Sequence, residues 1–199
     1  MRVLSVNVAA VGELFIREAD DGARVRRIAT GIHKQPVQGP VAIGKLGLAG
    51  DEQADLTVHG GLDKAVYAYP VEHYPFWVAQ RLAILKRDEP LPPGSMGENL
   101  TLEGLLEQDV WVGDRLHVGS ALLEVTQPRQ PCYKFGAKMG YAHAVKAMLQ
   151  SGYSGFYLRV VRGGEVQAGD VVSVTPGARE VSILQVNERR RMGRQRDLF

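Results

Sequence analysis

The one cysteine of the chain, Cys132, lies in a short segment whose composition favours a reactive thiol. Arg129 and Lys134 flank it, and nearby cations stabilise the thiolate, which is both a nucleophile and a ligand for soft metals. Pro128 and Pro131 restrict the backbone around it, which suits a preorganised site. The segment therefore indicates thiolate chemistry or metal ligation, and a buried structural cysteine is the alternative interpretation.

A second group of polar residues falls between residues 50 and 64, where carboxylates and a histidine accompany a pair of glycines. Gly60 and Gly61 would let the backbone approach a ligand closely or donate amide hydrogens to an anion. Metal ligation by the side chains is one interpretation, but their spacing matches no standard metal site. A hydrogen-bonded loop is the other interpretation. The polar members of the group are Asp51, Asp55, His59, Asp63 and Lys64.

Two shorter segments carry further candidate residues. His33 and Lys34 precede a turn fixed by a proline, and Asn99 lies in the sequence Gly-Glu-Asn-Leu-Thr. Gln127 opens the segment that leads to the cysteine. Taken alone, the first of these segments is equally compatible with a polar surface turn.

Other catalytic signatures are missing from the sequence. It contains no C-x-x-C, H-E-x-x-H or G-x-S-x-G motif and no phosphate-binding loop ending in Gly-Lys-Ser/Thr. A cysteine–histidine pair could be drawn from Cys132 with His59 or His143, but no local pattern supports it. The chemistry therefore depends on whether the fold brings the separate loops together.

Short strands punctuated by glycine must position these loops. The chain has 23 glycines, and Val- and Leu-rich stretches alternate with turn residues along its length. Helices are predicted from Pro70 to Leu82 and from Ala142 to Gln150, and a rigid loop from Gln127 to Pro131. The even spacing of short strands favours a mainly β fold with a few helices, as a β-barrel or a sandwich. The predicted strands are 2–9, 24–30, 37–48, 65–69, 99–102, 110–112, 115–118, 121–126, 156–161, 165–167 and 171–174, with one more strand and a tail allowed from Val181 onward.

Composition and charge are those of an ordinary globular protein. Hydrophobic residues make up 45% and charged residues 23%, and the formal net charge of +2 does not by itself indicate nucleic-acid binding. Five arginines crowd the last eleven residues and predict a solvated tail, with an anion-binding segment as the alternative. No run approaches the ~18 apolar residues of a membrane helix. With no signal-peptide pattern and one cysteine, a cytoplasmic location is expected.

Three motifs together resemble those of the MOSC-domain proteins, and within that superfamily those of the YiiM branch. The resemblance extends over roughly residues 3–176. It implies a MOSC-type closed β-barrel domain over residues 1–180. Residues 181–199 would then be a short C-terminal tail, a truncated remnant of the helical module of the branch. The motifs are Gly-Asp-Glu-Gln-Ala-Asp-Leu-Thr-Val-His-Gly-Gly-Leu-Asp-Lys-Ala-Val-Tyr-Ala-Tyr-Pro, Gly-Glu-Asn-Leu-Thr and Gln-Pro-Arg-Gln-Pro-Cys-Tyr-Lys, in that order.

The resemblance also implies a molybdenum cofactor (molybdopterin) and a role for each candidate residue. Cys132 would be the molybdenum ligand, and Arg129 and Lys34 would complete a catalytic group. The implied activity is the reduction of N-hydroxylated bases such as 6-hydroxylaminopurine, a detoxification reaction that takes electrons from a separate redox protein. The implied cofactor-binding residues are Asp51, His59, Gly60, Gly61, Lys64, Asn99 and Gln127.

Two alternatives stay open from the sequence. In the first, the protein is a non-catalytic module that carries sulfur as a persulfide on Cys132 or delivers the cofactor. In the second, which the balanced net charge disfavours, a β-barrel binds nucleic acid through the arginine tail. No membrane partner is expected, and an oligomer is compatible with the sequence.

Overall fold

A computed structural model describes residues 1–17, 25–54 and 60–196 of the chain. In those ranges short strands dominate and four α-helices interrupt them. The strands are β1 (Arg2–Val8), β2 (Gly12–Arg17), β3 (Val25–Thr30), β4 (Gln35–Val37), β5 (Val41–Gly44), β6 (Gly47–Leu48), β7 (Val66–Pro70), β8 (Leu100–Glu103), β9 (Arg115–Val118), β10 (Ala121–Pro128), β11 (Phe156–Arg162), β12 (Gly164–Val166) and β13 (Val172–Thr175). The helices are α1 (Tyr74–Leu85), α2 (Tyr133–Met139), α3 (Ala144–Ser151) and α4 (Ile183–Arg196).

Eight strands of the described residues form the main sheet, in the order β13-β9-β10-β11-β7-β8-β1-β4. Neighbouring strands are antiparallel except β7 and β8, which are parallel. The backbone N–H of Val3 donates to the carbonyl of Asp170 at 2.9 Å, and that of Val172 to the carbonyl of Met1 at 3.0 Å. These bonds join β1 to the start of β13 through one isolated bridge. The mainly β class is confirmed, whereas the closed barrel stays a prediction because the strand order is open.

The hydrophobic core consists of two clusters of buried side chains, and alternating burial along the strands contributes to them. In β10, Ala121, Leu123 and Val125 are buried while the residues between them are partly exposed, so the strand turns one face inward. A mainly aliphatic cluster packs against the buried face of the sheet. A second, aromatic cluster, which includes Trp77 and Phe135, packs β7 and β11 against helices α1 to α3. That second cluster lies under the loops that carry the candidate residues.

The structure corrects two of the elements predicted between residues 110 and 131. Gln127 and Pro128 belong to β10 and not to a loop, because β10 pairs with β11 as far as Phe156. Residues 110–112 form no strand in the described chain, and Trp111 makes only an isolated bridge with Ser182.

The segment from Val181 onward forms helix α4 and not a strand. Ser182 caps it reciprocally: the N–H of Gln185 donates to Ser182 Oγ at 3.1 Å, and the N–H of Ser182 donates to Gln185 Oε1 at 2.9 Å. Ile183 is fully buried and anchors the helix to the core. The division of the chain at residue 180 stays a prediction. Within the described ranges, every helix is too short or too polar to cross a lipid bilayer.

Candidate functional site

The predicted loops converge on one cleft beside strands β7 and β11 of the main sheet, which contribute Tyr67 and Tyr157 to its lining. Its loops are residues 30–34 at and after the end of β3, residues 51–54, residues 97–99 before β8, and residues 129–134, which run from β10 into the first turn of α2. Its empty volume is about 680 Å³ with the space open to solvent included.

Cys132 lies at the junction between β10 and α2. It occupies the position before the first helical residue, with an extended backbone, and its carbonyl accepts a hydrogen bond from the N–H of Phe135 at 2.9 Å. The residue is partly exposed and lines the cleft. A negative charge on its sulfur would raise the pKa values of Arg129 and Tyr157. This is the polar, cation-flanked position that the sequence predicts.

Arg129 is buried, with only 8% of the residue exposed, and several contacts hold its guanidinium in place. Its NH1 donates to the carbonyl of Met96 at 2.6 Å and to the hydroxyl of Tyr67 at 3.3 Å. The guanidinium lies 4.8 Å from the ring centre of Tyr67 and 4.9 Å from that of Phe135. Burial alone would lower the pKa of Arg129, but the surrounding tyrosines and the thiol outweigh it, so its pKa is raised. The site therefore contains a fixed, permanent cation.

Lys34 reaches the cleft from the opposite loop. Its ammonium contacts the carboxylate of Asp51, and both side chains are largely buried. Asp51 also accepts hydrogen bonds from the N–H of Ala9 and from Asn99 Nδ2, each at 2.9 Å. Burial lowers the pKa of Lys34, although the negative charges of Asp51 and Glu98 act to raise it. Asp51 and Asn99 thus position Lys34 as well as lining the cleft.

Glu98 is fully buried beside this group, and the sequence analysis assigned it no role. Its carboxylate accepts hydrogen bonds from the N–H of Gly94 at 2.7 Å and of Met96 at 3.0 Å, and from Thr101 Oγ1 at 2.8 Å. The hydroxyl of Tyr74 donates to the same carboxylate. The loop from residue 94 to residue 98 is therefore wrapped around its own carboxylate.

The carbonyls of that loop face two cations. The carbonyl of Met96 accepts from Arg129, and that of Gly94 accepts from Lys138 Nζ at 2.6 Å. Lys138 also donates to the carbonyl of Ile32 at 2.6 Å. Lys138, on α2, thereby ties together the loops that carry Lys34 and Glu98.

Lys138 gives the site a measurable pH dependence. Burial lowers the pKa of Lys138 to about 8, because the charge of Glu98 does not offset desolvation and the repulsion of Arg129 and Lys34. Between that value and the ~10.4 of a lysine in the unfolded chain, the unfolded state binds more protons, so stability rises with pH. A neutral amine still has two N–H groups for its two carbonyl partners.

We therefore expect the unfolding free energy of the wild type to increase relative to that of Lys138→Met as pH rises from about 7.5 to about 10. Urea denaturation at several pH values measures the difference. The control is Lys45→Met, which removes an exposed lysine: the difference in unfolding free energy between the wild type and this variant should not change with pH. If the difference for Lys138→Met were equally independent of pH, the lowered pKa of Lys138 would be contradicted.

The structure brings six of the predicted site residues into the cleft and leaves three outside its described lining. Cys132, Arg129, Lys34, Asp51, Lys64 and Asn99 line it. Gly60, Gly61 and Gln127 do not appear among the described lining residues. The N–H of Gly61 donates to Gln53 Oε1 at 3.1 Å, and Gln127 pairs with Tyr157 of β11. His59 and Asp55 lie outside the described residues.

Sequence reasoning missed four residues of the site: Tyr67, Tyr157, Glu98 and Lys138. Tyr67 belongs to a stretch that predicts an ordinary buried strand, and its hydroxyl donates to the carbonyl of Ser154 at 2.7 Å. Lys138 lies on the short helix α2, which the sequence analysis did not predict. Glu98 belongs to the Gly-Glu-Asn-Leu-Thr motif, but the motif gives no sign that its carboxylate is buried.

Comparison with known proteins gives consistent matches. Residues 55–173 match the family model described as the MOSC domain. The uncharacterized protein YflK of Bacillus subtilis (strain 168) is 42% identical over 163 residues, which cover 81% of this chain and 71% of YflK. A protein named "Reductase" from Gibberella moniliformis is 35% identical over 158 residues, which cover 77% of this chain and 27% of that protein. The crystal structure of YiiM from Geobacillus stearothermophilus superposes with a TM-score of 0.75 at 34% identity, covering 97% of this chain and 85% of that one.

Proposed function

The chain belongs to the MOSC domain family as a YiiM-like member, and from that premise we propose that it binds a molybdenum cofactor and reduces N-hydroxylated compounds. The observation that carries the proposal is the meeting of Cys132, Arg129 and Lys34 in one cleft, although they come from separate loops. Their chemistry is that of a soft ligand between two cations.

The residues present fit a cofactor that is anionic and carries its own metal ligands. The described residues contain no group of three or more side chains that could hold a bare metal ion. One thiolate, that of Cys132, suits a metal that arrives already coordinated by an organic group. Lys34, Lys64, Arg129 and Lys134 lie around the cleft and would meet an anionic phosphate.

When bound, the cofactor would supply the two-electron chemistry and the soft metal centre for removing oxygen from an N–OH group. The overall change is R–NHOH plus two electrons and two protons to R–NH₂ plus water, so the electrons require a separate donor, which we propose to be a redox protein. Arg129 would hold and stabilise negative charge that develops on the departing oxygen, because its guanidinium is fixed and permanently charged. Lys34, held by Asp51, would orient the substrate from the opposite wall.

The partly enclosed position of the site suits this task. Burial around Arg129 and Lys34 strengthens their electrostatic effect relative to the same charges in water. The name "Reductase" of the Gibberella relative agrees with the proposed reaction class, although the match covers only a part of that protein. N-hydroxylated bases such as 6-hydroxylaminopurine are proposed as the substrates because of the family resemblance.

The test is metal analysis and an activity assay on the protein made in a host that synthesises the cofactor. Wild-type protein is expected to hold molybdenum in a near-equimolar amount and to reduce 6-hydroxylaminopurine when a low-potential electron donor is supplied. Protein from a host unable to make the cofactor is the matched control and should do neither. Molybdenum-free protein that still reduces the substrate would contradict the proposal.

The second candidate is a carrier that holds a persulfide on Cys132, which the partial exposure of the thiol favours. Mass spectrometry of the intact protein separates the two functions. An added sulfur atom on Cys132 without reductase activity would favour the carrier.

A further inference from the structure

Helix α4 is joined to the segment that carries Arg129, although no described residue of α4 lines the cleft. Two of its side chains, those of Asn187 and Arg190, reach this segment or the loop that supports it. They are three positions apart, so they lie on the same side of the helix. No part of the proposed reaction has been assigned to this helix.

Asn187 holds the loop of residues 152–155, which joins α3 to β11. Its Nδ2 donates to Ser154 Oγ at 2.9 Å and to the carbonyl of Gly152 at 3.2 Å. Ser154 is 2% exposed, and its hydroxyl donates its one hydrogen to the carbonyl of Gly155 at 2.8 Å. Asn187 thus fixes the direction in which this buried hydroxyl donates, because the hydroxyl can only accept from the amide.

The same loop contacts Arg129 in two ways. The backbone N–H of Arg129 donates to the carbonyl of Gly155 at 3.4 Å. The carbonyl of Ser154 accepts from the hydroxyl of Tyr67 at 2.7 Å, and that hydroxyl accepts from the guanidinium of Arg129 at 3.3 Å. The loop therefore restrains the backbone of Arg129 directly and its guanidinium through Tyr67.

Asn187 restrains the loop on the side away from β7. On the β7 side Gly155 is packed so closely that an added Cβ would lie 2.3 Å from the carbonyl oxygen of Ala68, so the loop has no room to move in that direction. The N–H of Gly155 also donates to Glu107 Oε1 at 2.7 Å. Because that bond would remain, loss of the Asn187 side chain should loosen the loop without releasing it.

Arg190 makes a second contact from α4 to the segment. The side-chain oxygen of Gln130, the residue after Arg129, accepts from Nη1 of Arg190 at 2.8 Å and from its Nε at 3.3 Å. The amide oxygen is assigned to this position because a guanidinium can only donate. Two neighbouring side chains of α4 therefore support two consecutive residues of the segment.

We propose that Asn187 is a positioning residue for the reductase reaction, and that with Arg190 it holds Arg129 in place at the cleft. The inference rests on the proposed role of Arg129 in that reaction. A charge aimed at a group that develops in the transition state loses much of its effect when it is displaced by even a fraction of an ångström. The contacts of Lys34 on the opposite wall are unchanged, so the loss should appear in kcat and not in KM.

Steady-state kinetics of Asn187→Ala test the proposal. We expect kcat to fall at least about fivefold, the size of one lost hydrogen bond, and KM to stay within about twofold. The matched control is Arg191→Gln, which removes another hydrogen bond of α4, from Arg191 to the carbonyl of Gln150 in α3 at 3.3 Å. It should change kcat less than about twofold, and equal losses in the two variants would overturn the proposal.

Ser154→Ala interrupts the same path and covers the case of an Asn187 variant that does not fold. It should lower kcat by about as much as Asn187→Ala, and the double variant should be no slower than either single variant by more than about twofold, because both act through one path. Losses that multiply in the double variant would show that Asn187 does not act through Ser154.

Hydrogen exchange measured by NMR needs neither cofactor nor turnover. The amide of Arg129 should exchange at least about threefold faster in Asn187→Ala than in the wild type, and at the wild-type rate in Arg191→Gln. If the wild type had no reductase activity, the proposed function would fail, and this measurement would still decide the contact: faster exchange supports positioning of Arg129 by α4, and unchanged exchange overturns it.

Discussion

Replacing Cys132 with serine is expected to lower the rate of 6-hydroxylaminopurine reduction by roughly a thousandfold or more, as removal of an essential catalytic side chain does. Serine has nearly the same size but is a neutral alcohol at physiological pH, and it is a hard donor where the proposed ligand is a soft thiolate. The substitution leaves the backbone bond between the Cys132 carbonyl and Phe135 in place. The loss should therefore be chemical and not a consequence of unfolding.

The measurement combines steady-state kinetics with molybdenum analysis of the same preparation. Tyr133→Phe is the matched control, because Tyr133 is the adjacent residue and its side chain is 54% exposed. It should retain activity within about twofold, as most exposed substitutions do. If Cys132→Ser kept near wild-type activity, the cysteine would have no role in the reaction.

Replacing Glu98 with alanine is expected to lower the free energy of unfolding by at least about 3 kcal/mol, the range found when a buried charge loses its partner. The substitution removes the acceptor of two backbone N–H groups and of the hydroxyls of Tyr74 and Thr101. Each buried donor left without a partner costs ~1–3 kcal/mol. It also removes the buried negative charge that acts on Lys34 and Lys138.

Urea denaturation followed by circular dichroism measures this effect, and the melting temperature should fall by roughly 6–12 °C, at ~2–4 °C for each kcal/mol in a chain of this size. Glu103→Gln is the control: Glu103, at the end of β8, forms a solvent-exposed ion pair with Arg2. Surface pairs contribute little, so this variant should unfold close to the wild type. An unfolding free energy for Glu98→Ala within error of the wild type would show that the loop does not need its carboxylate.

Glu98 and Lys138 illustrate why part of the site was not predictable. A glutamate in a loop and a lysine on a short helix are ordinarily solvated, and the sequence contains no local sign that they are not. Their roles depend on contacts between distant positions: Lys138 bonds to Gly94, 44 positions away, and Arg129 bonds to Met96 of the Glu98 loop, 33 positions away. Only the packing of α2 against these loops creates those contacts.

Cys132 shows what local sequence reasoning could predict about the site. Its flanking cations and prolines are local, so the sequence indicated a reactive thiol and a preorganised segment, and the structure places it in the cleft beside Arg129. The same local reasoning placed Gln127 in a rigid loop. The structure instead pairs it with Tyr157, because the ladder between β10 and β11 continues past the point where the sequence predicts its end.

By itself, the sequence determined that the protein is mainly β with a few helices and belongs among YiiM-like MOSC proteins, and both predictions are confirmed. The alternation of residue types along strands and the order of the motifs are local patterns of the sequence, so they can be recognised without a structure. Tertiary structure decided which charges are buried, which loops share one cleft and which polar groups lack partners, as the buried hydroxyl of Tyr141 does within the described chain. These properties depend on distances between residues far apart in the chain, and no local pattern encodes them.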